Sequence, residues 1–160
     1  MGVTCFSQEF TCPVAPARMF KALILESNNL IPKLLPQFIE SVEVIEGDGG
    51  PGSIEQVNFT QDSNFNYVKH RIDELDKEKF VCKYTMIEGD RLGDKLESID
   101  YVVRFEAANN GGCICKMITK YHTVGELENK EEEIKSGKDS AMGVYKVVEA
   151  YLLDNPHVYA

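Results

Sequence analysis

No run of about 18 apolar residues occurs in the 160-residue chain, so the sequence offers no helix to span a bilayer. The start "MGVTCFSQEF" lacks the basic region and the long apolar stretch of a secretory leader. It lacks the myristoylation pattern too, because Phe6 stands where Ser or Thr is needed. A cytosolic location is therefore expected, and the sequon Asn58-Phe59-Thr60 is then idle. Positive charge is scarce: 17 Lys and Arg face 26 Asp and Glu, for a net charge of -9. Such a chain repels nucleic acid and anionic membranes at long range, so neither is an expected partner. The five cysteines, Cys5, Cys12, Cys82, Cys113 and Cys115, form no C-x-x-C pair. Reduced, mostly buried thiols are expected, with no metal site and no cofactor. Repeats, low-complexity tracts and linkers are also missing, which leaves a single domain over 1–160.

What the chain does have is 43% apolar and 27% charged residues, enough for one sizeable core. Phe6, Phe10 and Cys12 share one parity and predict a first strand from Val3 to Cys12. "CPVAP" stops it, and Pro16 suits the first turn of a helix carrying Met19, Phe20, Leu23 and Ile24 through Glu26. A second short helix is predicted from Leu30 to Leu35, ended by Pro36. From Ser41 the period changes to two, and an antiparallel sheet follows. Its predicted strands are Val42 to Ile45, Ile54 to Thr60, Tyr67 to Leu75, Phe80 to Ile87, Glu97 to Glu106 and Cys113 to His122. The turns "DKEK", "EGDRLGD" and "NNGG" suit hairpins. The last segment, Lys130 to Leu153, places Ile134, Lys138, Met142, Tyr145, Val148 and Leu152 on one helical face. The order β-α-α-β-β-β-β-β-β-α describes an α+β domain in which a bent sheet wraps one long helix.

The stretch "EGDGGPGSIEQVNF" holds Gly47, Gly49, Gly50 and Gly52 and invites comparison with a phosphate loop. A phosphate loop sits between a strand and a helix, so that the helix amino terminus faces the anion. Here the glycines join two strands, no Gly-Lys-Ser/Thr follows, and the flanking charges are Glu46, Asp48 and Glu55. A rigid hairpin is the expected role, although a nest of amides can bind an anion weakly.

The set "EGDGGPGSI", "IEGDRLGDKLESIDY", "KYHT" and "VVEAYLL", with "FKALILESNNLIPKLLPQ" before it, resembles the plant pathogenesis-related class 10 family, typified by the birch pollen major allergen. The resemblance runs the length of the chain, in order and without large insertions. It implies a helix-grip fold: a seven-stranded antiparallel sheet around a long C-terminal helix, with two short helices between strands 1 and 2. It also implies an internal cavity for small amphipathic plant metabolites or hormones, such as flavonoids, cytokinins, steroids and fatty acids, held by a monomeric defence-related protein. Two positions depart from the pattern. Glu55 and Gln56 stand where many relatives carry lysines, and His70 replaces an acidic residue of some relatives.

Strand parity supplies wall candidates for such a cavity. Phe80, Cys82, Tyr84 and Met86 share one parity, as do Ile99, Tyr101, Val103 and Phe105, and Cys113, Cys115, Met117 and Thr119. Phe59, Tyr67 and His70 join from the preceding strands, Lys138 and Met142 from the helix. Tyr67 and His70 have opposite parity, so both face inward only if a bulge lies between them. Buried phenols without partners cost about 1 to 3 kcal/mol, which suits a wet pocket better than a dry core; core packing with satisfied polar tips is the alternative.

The resemblance also raises a ribonuclease activity on Glu97, Glu149 and Tyr151, in which two carboxylates would share acid and base roles. Glu149 and Tyr151 lie two apart on a helix, hence on different faces, and the charge disfavours RNA. His122 in "KYHT" reads as a structural strand-end residue. Related synthases use a lysine and an acid in the cavity, for which Lys138 with Tyr101 or Tyr67 is the nearest match. The gate sequence of related hormone receptors is replaced here by "EGDRLGD".

Overall fold

The computed structural model describes residues 2–61, 66–90, 92, 96–123 and 131–159, with the backbone alone for 131–142. Strand β1, Gly2–Cys12, alternates between exposed residues and an inward set of Thr4, Phe6, Gln8, Phe10 and Cys12. Pro16 opens α1, Pro16–Phe20, at a position whose N–H would have no helical partner anyway. The chain then widens into a π-helical stretch, Lys21–Leu25, closed by the Glu26 N–H reaching back to the Lys21 carbonyl at 2.8 Å. Helix α2, Ser27–Leu34, follows at once. It begins earlier than the predicted Leu30, because the chain passes from the π stretch into the next helix through Glu26 alone. Pro32 lies inside α2, and the helix stops two residues later.

The remaining strands are β2 (Ile39–Glu46), β3 (Ile54–Phe59), β4 (Tyr67–Asp76), β5 (Val81–Gly89), β6 (Leu96–Ala107) and β7 (Cys113–Thr123). Phe80, placed in the fifth strand by parity, sits just before it at a left-handed φ of 57° and packs on the core. Sheet order is β1-β7-β6-β5-β4-β3-β2, with every pair antiparallel. Strands β1 and β2 are neighbours in sequence yet hold opposite edges, so the α1–α2 segment has to connect the two edges of the sheet. The fold is the seven-stranded helix-grip sheet.

Register aligns the inner face in rows. One row runs Thr4, Tyr121, Ile99, Met86, His70, Glu55 across six strands, and the next runs Phe6, Thr119, Tyr101, Tyr84, Ile72. Two bulges interrupt the register between β4 and β5. Ile87 is the extra residue on β5 and Asp73 the extra residue on β4, which turns Leu75 to the side occupied by Ile72.

Helix α3, Glu131–Asp154, presents Tyr145, Val148 and Leu152, buried to 7%, 0% and 0% exposure. Their spacing of three and four makes a single stripe. Phe10 stacks on Tyr145 with ring centroids 5.2 Å apart. The Arg18 guanidinium closes the far end of α3, donating to the carbonyls of Leu152, Asn155 and Val158 at 2.9 to 3.1 Å. Positive charge at a helix carboxyl terminus is favourable, and these carbonyls have no helical donors. Among the described residues, the buried ones form two clusters. One joins Met19, Phe20, Phe105, Cys115, Val148 and Leu152; the other joins Val68, Met86, Leu92, Leu96, Ile99 and Tyr121.

Candidate functional site

Residues of both clusters border a cavity of about 1130 Å³, bounded by the sheet, the π stretch, α2 and α3. That lies just above the usual range of about 300–1,000 Å³ for small-molecule pockets. The sheet contributes Phe59, Val68, His70, Ile72, Tyr84 and Tyr101, and the helices contribute Leu23, Ile31, Val144 and Tyr145. Exposed residues on its border, Gln37, Phe38, Asp48 and Lys77, mark the mouth.

Its polar wall is an aromatic ladder. Tyr84 and Tyr101 are cross-strand partners, stacked at 4.7 Å with 17° between planes, and His70 sits 5.1 Å from Tyr84 and 6.1 Å from Tyr101. Burial pushes the Tyr84 phenol well above its ordinary range, and Tyr145 likewise. Both phenols therefore stay neutral and can donate a hydrogen bond. Glu55 lies opposite His70 in register and also borders the cavity; burial raises its carboxyl above the usual range. In the sequence Glu55 stands out only as a neighbour of the glycine loop. The signal was available, since Glu55 has the parity of Val57 and Phe59. Thr119, a wall candidate by parity, borders the cavity as well, as does Gln8, whereas the π-stretch residues Leu23 and Leu25, also on its border, carry no such signal.

Of the predicted ligand contacts, the structure brings together Phe59, His70, Tyr84, Tyr101 and Met117 on the wall. Ile99 and Cys115 are buried at 3% and 1% exposure in the core clusters and do not border the cavity. Tyr67 is on the other face. Its hydroxyl donates to Glu88 at 2.7 Å, beside the Lys69–Glu88 ion pair at 3.2 Å. A bulge does interrupt the register at this point, but its extra residue is Ile87 on β5, so β4 keeps its alternation and Tyr67 stays opposite to His70. The side chains of Lys138 and Met142 lie outside the described residues.

In the glycine loop, Gly49 and Gly50 border the cavity, while Gly47 and Gly52 do not. Four of its amides already have partners. Gly49 N–H donates to Ser53 Oγ (2.9 Å), Gly50 N–H to Asp48 Oδ1 (3.0 Å), Gly52 N–H to the Ile72 carbonyl (2.7 Å) and Ser53 N–H to the Gly50 carbonyl (3.0 Å). A phosphate would have to displace the Asp48 carboxylate and break the lacing to β4.

The residues raised for ribonuclease chemistry are not assembled. Glu97 is exposed on the Gly2–Thr123 end of the sheet, at a register shift. Glu149 lies where Cys12 acts on it: burial, then Cys12, push its carboxyl up. Cys12 pairs with Cys113, which pairs with Ala107 at the other end of β6. At about 3.3 Å per residue, the strand between these ends is on the order of 30 Å long. Tyr151 turns to α2, where Lys33 Nζ lies 5.5 Å from its ring centroid. His122 Nε2 pairs with Asp100 Oδ2 at 2.7 Å, and Asp100 Oδ1 accepts from Thr85 at 3.0 Å.

A curved antiparallel sheet closed over one long helix, with a large cavity between them, defines a helix-grip protein. The sequence profile of the Pathogenesis-related protein Bet v 1 family matches residues 1–155. The chain belongs to that family. It is 54% identical over 160 residues to pathogenesis-related protein STH-2 of Solanum tuberosum, covering 100% of both chains. Among solved structures it resembles Ara h 8.0201, with a TM-score of 0.87 and 36% identity over 96% of this chain and 100% of that one. It also shares its fold with norcoclaurine synthase from Thalictrum flavum in complex with dopamine and hydroxybenzaldehyde. There the TM-score is 0.73 and the identity 22%, over 96% of this chain and 88% of that one.

Proposed function

We propose that this protein is a cytosolic, monomeric, defence-related carrier that holds a small amphipathic plant metabolite in its internal cavity. The observation that carries the reading is the His70–Tyr84–Tyr101 ladder set in an otherwise largely apolar wall. Flat aromatic or alicyclic bodies would stack along the ladder, while a hydroxyl or amine would meet the phenols, His70 or Glu55. Flavonoids, cytokinins and steroids fit that description, and a fatty acid would use the apolar length alone. The bound aromatic molecules named for norcoclaurine synthase support a cavity of this fold accepting phenolic compounds. Turnover is not part of the proposal, because the two carboxylates raised for ribonuclease chemistry stand at opposite ends of the sheet.

An anilinonaphthalene sulfonate probe should bind saturably with micromolar affinity, roughly -8 kcal/mol. Flavonoids, cytokinins, steroids or fatty acids should displace it. Binding that never saturates, or a probe that none of these displaces, contradicts the reading.

A further inference from the structure

Away from the cavity wall, at one end of the sheet, three thiols converge. Cys12 closes β1, and its register partner Cys113 opens β7; Cys115 lies two residues further along the same face. Their exposures are 5%, 0% and 1%, and their sulfurs all lie within 4.8 Å of one another, with Cys113 and Cys115 at 3.5 Å. A metal bonded to three sulfurs at about 2.3 Å separates those sulfurs by about 4 Å, so small side-chain rotations suffice.

We propose that Cys12, Cys113 and Cys115 form a three-sulfur site for a soft monovalent cation, Cu(I) being the representative. Three features select that chemistry. Thiolates prefer soft ions. Among the described residues no further His, Cys, Asp or Glu joins the group, so the site offers three ligands. Three-coordination satisfies Cu(I), whereas zinc takes a fourth ligand. A net charge of -9 draws cations to the molecule. Loading is coordination without electron transfer. Three Cu–S bonds form, each sulfur that binds as thiolate releases its proton to solvent, and copper remains Cu(I). Sequence spacing hides this site, because its ligands come from two strands joined only by the fold.

The test is a competition titration of the reduced full chain with Cu(I) against bicinchoninate, paired with copper-edge X-ray absorption. One Cu(I) per chain should be retained, with three sulfur neighbours. Cys12→Ala, Cys113→Ala and Cys115→Ala should each weaken retention by more than about 100-fold, beyond what loss of an outer-shell partner produces. Cys5→Ala, at an exposed position, should leave it unchanged. If an alanine variant fails to fold, the absorption spectrum of the unsubstituted chain decides alone. No retention against the chelator, nitrogen or oxygen neighbours, or retention lost on Cys5→Ala would overturn the site.

Discussion

Gly47 has a φ of +88°, and a Cβ built on it would lie 2.3 Å from Ser53 Oγ and 2.9 Å from Ser53 Cα. Ser53 is 1% exposed and its hydroxyl holds the Gly49 amide, so it cannot move aside without loosening the loop. Gly49, at φ +96°, has nothing within 4 Å of such a Cβ. Gly49→Ala should therefore cost only the left-handed strain, about 1 kcal/mol, and Gly47→Ala distinctly more. Denaturant midpoints of the two variants check the order; equal losses would contradict it. Glu55 gives a test in pH. Its raised folded-state pKa means that its contribution to stability is full below the unfolded value and lost as pH rises through the folded one. Glu55→Gln removes that loss. The variant should be more stable than the parent at neutral pH, with the advantage vanishing in acid below the ordinary carboxylate range. Unfolding curves across pH would contradict this if the offset were constant.

At the scale of elements, α3 carries a glycine where helix formers are favoured. Gly143 is exposed, borders the cavity and has nothing within 4 Å of a built Cβ, so close packing does not explain it. Gly143→Ala should raise stability by up to about 1 kcal/mol, read from the thermal or denaturant midpoint, and a loss would reveal crowding. The strands were legible in the sequence because one face is buried and period two is unmistakable in segments such as Cys113 to Thr119. The second half of α3 was legible by the same logic at period 3.6. Bulges were not legible, since Ile87 and Asp73 are ordinary strand residues whose extra place is set by their partners. Tyr67 would face inward only with an extra residue on β4 before His70, and that extra residue is on β5; the one β4 does carry, Asp73, is what turns Leu75 inward. The π-helical stretch was equally silent: its residues, "KALIL", suit any helix. Parity also could not separate a core position such as Ile99 from a wall position such as Tyr101, because both point the same way and only the volume above them differs.

On the scale of the whole molecule, the α1–α2 segment connects the two edges of the sheet, and Arg18 ties that segment to the end of α3. The grip is thus anchored at one end, where the Met19, Phe20 and Leu152 cluster is fully buried. The other part of the sheet's inner face stays open over the Tyr84–Tyr101 ladder. Family likeness alone would have suggested a cavity; the ladder, with Glu55 and His70 beside it, is what supports the proposed class of ligand. The most direct measurement is a crystal structure of the chain grown with a flavonoid or cytokinin. The account predicts density between sheet and α3, with the ligand's ring along Tyr84 and Tyr101 and a polar group within hydrogen-bond distance of His70, Glu55 or a phenol. A ligand confined to the outer surface, or an interior packed solid with side chains, would contradict it.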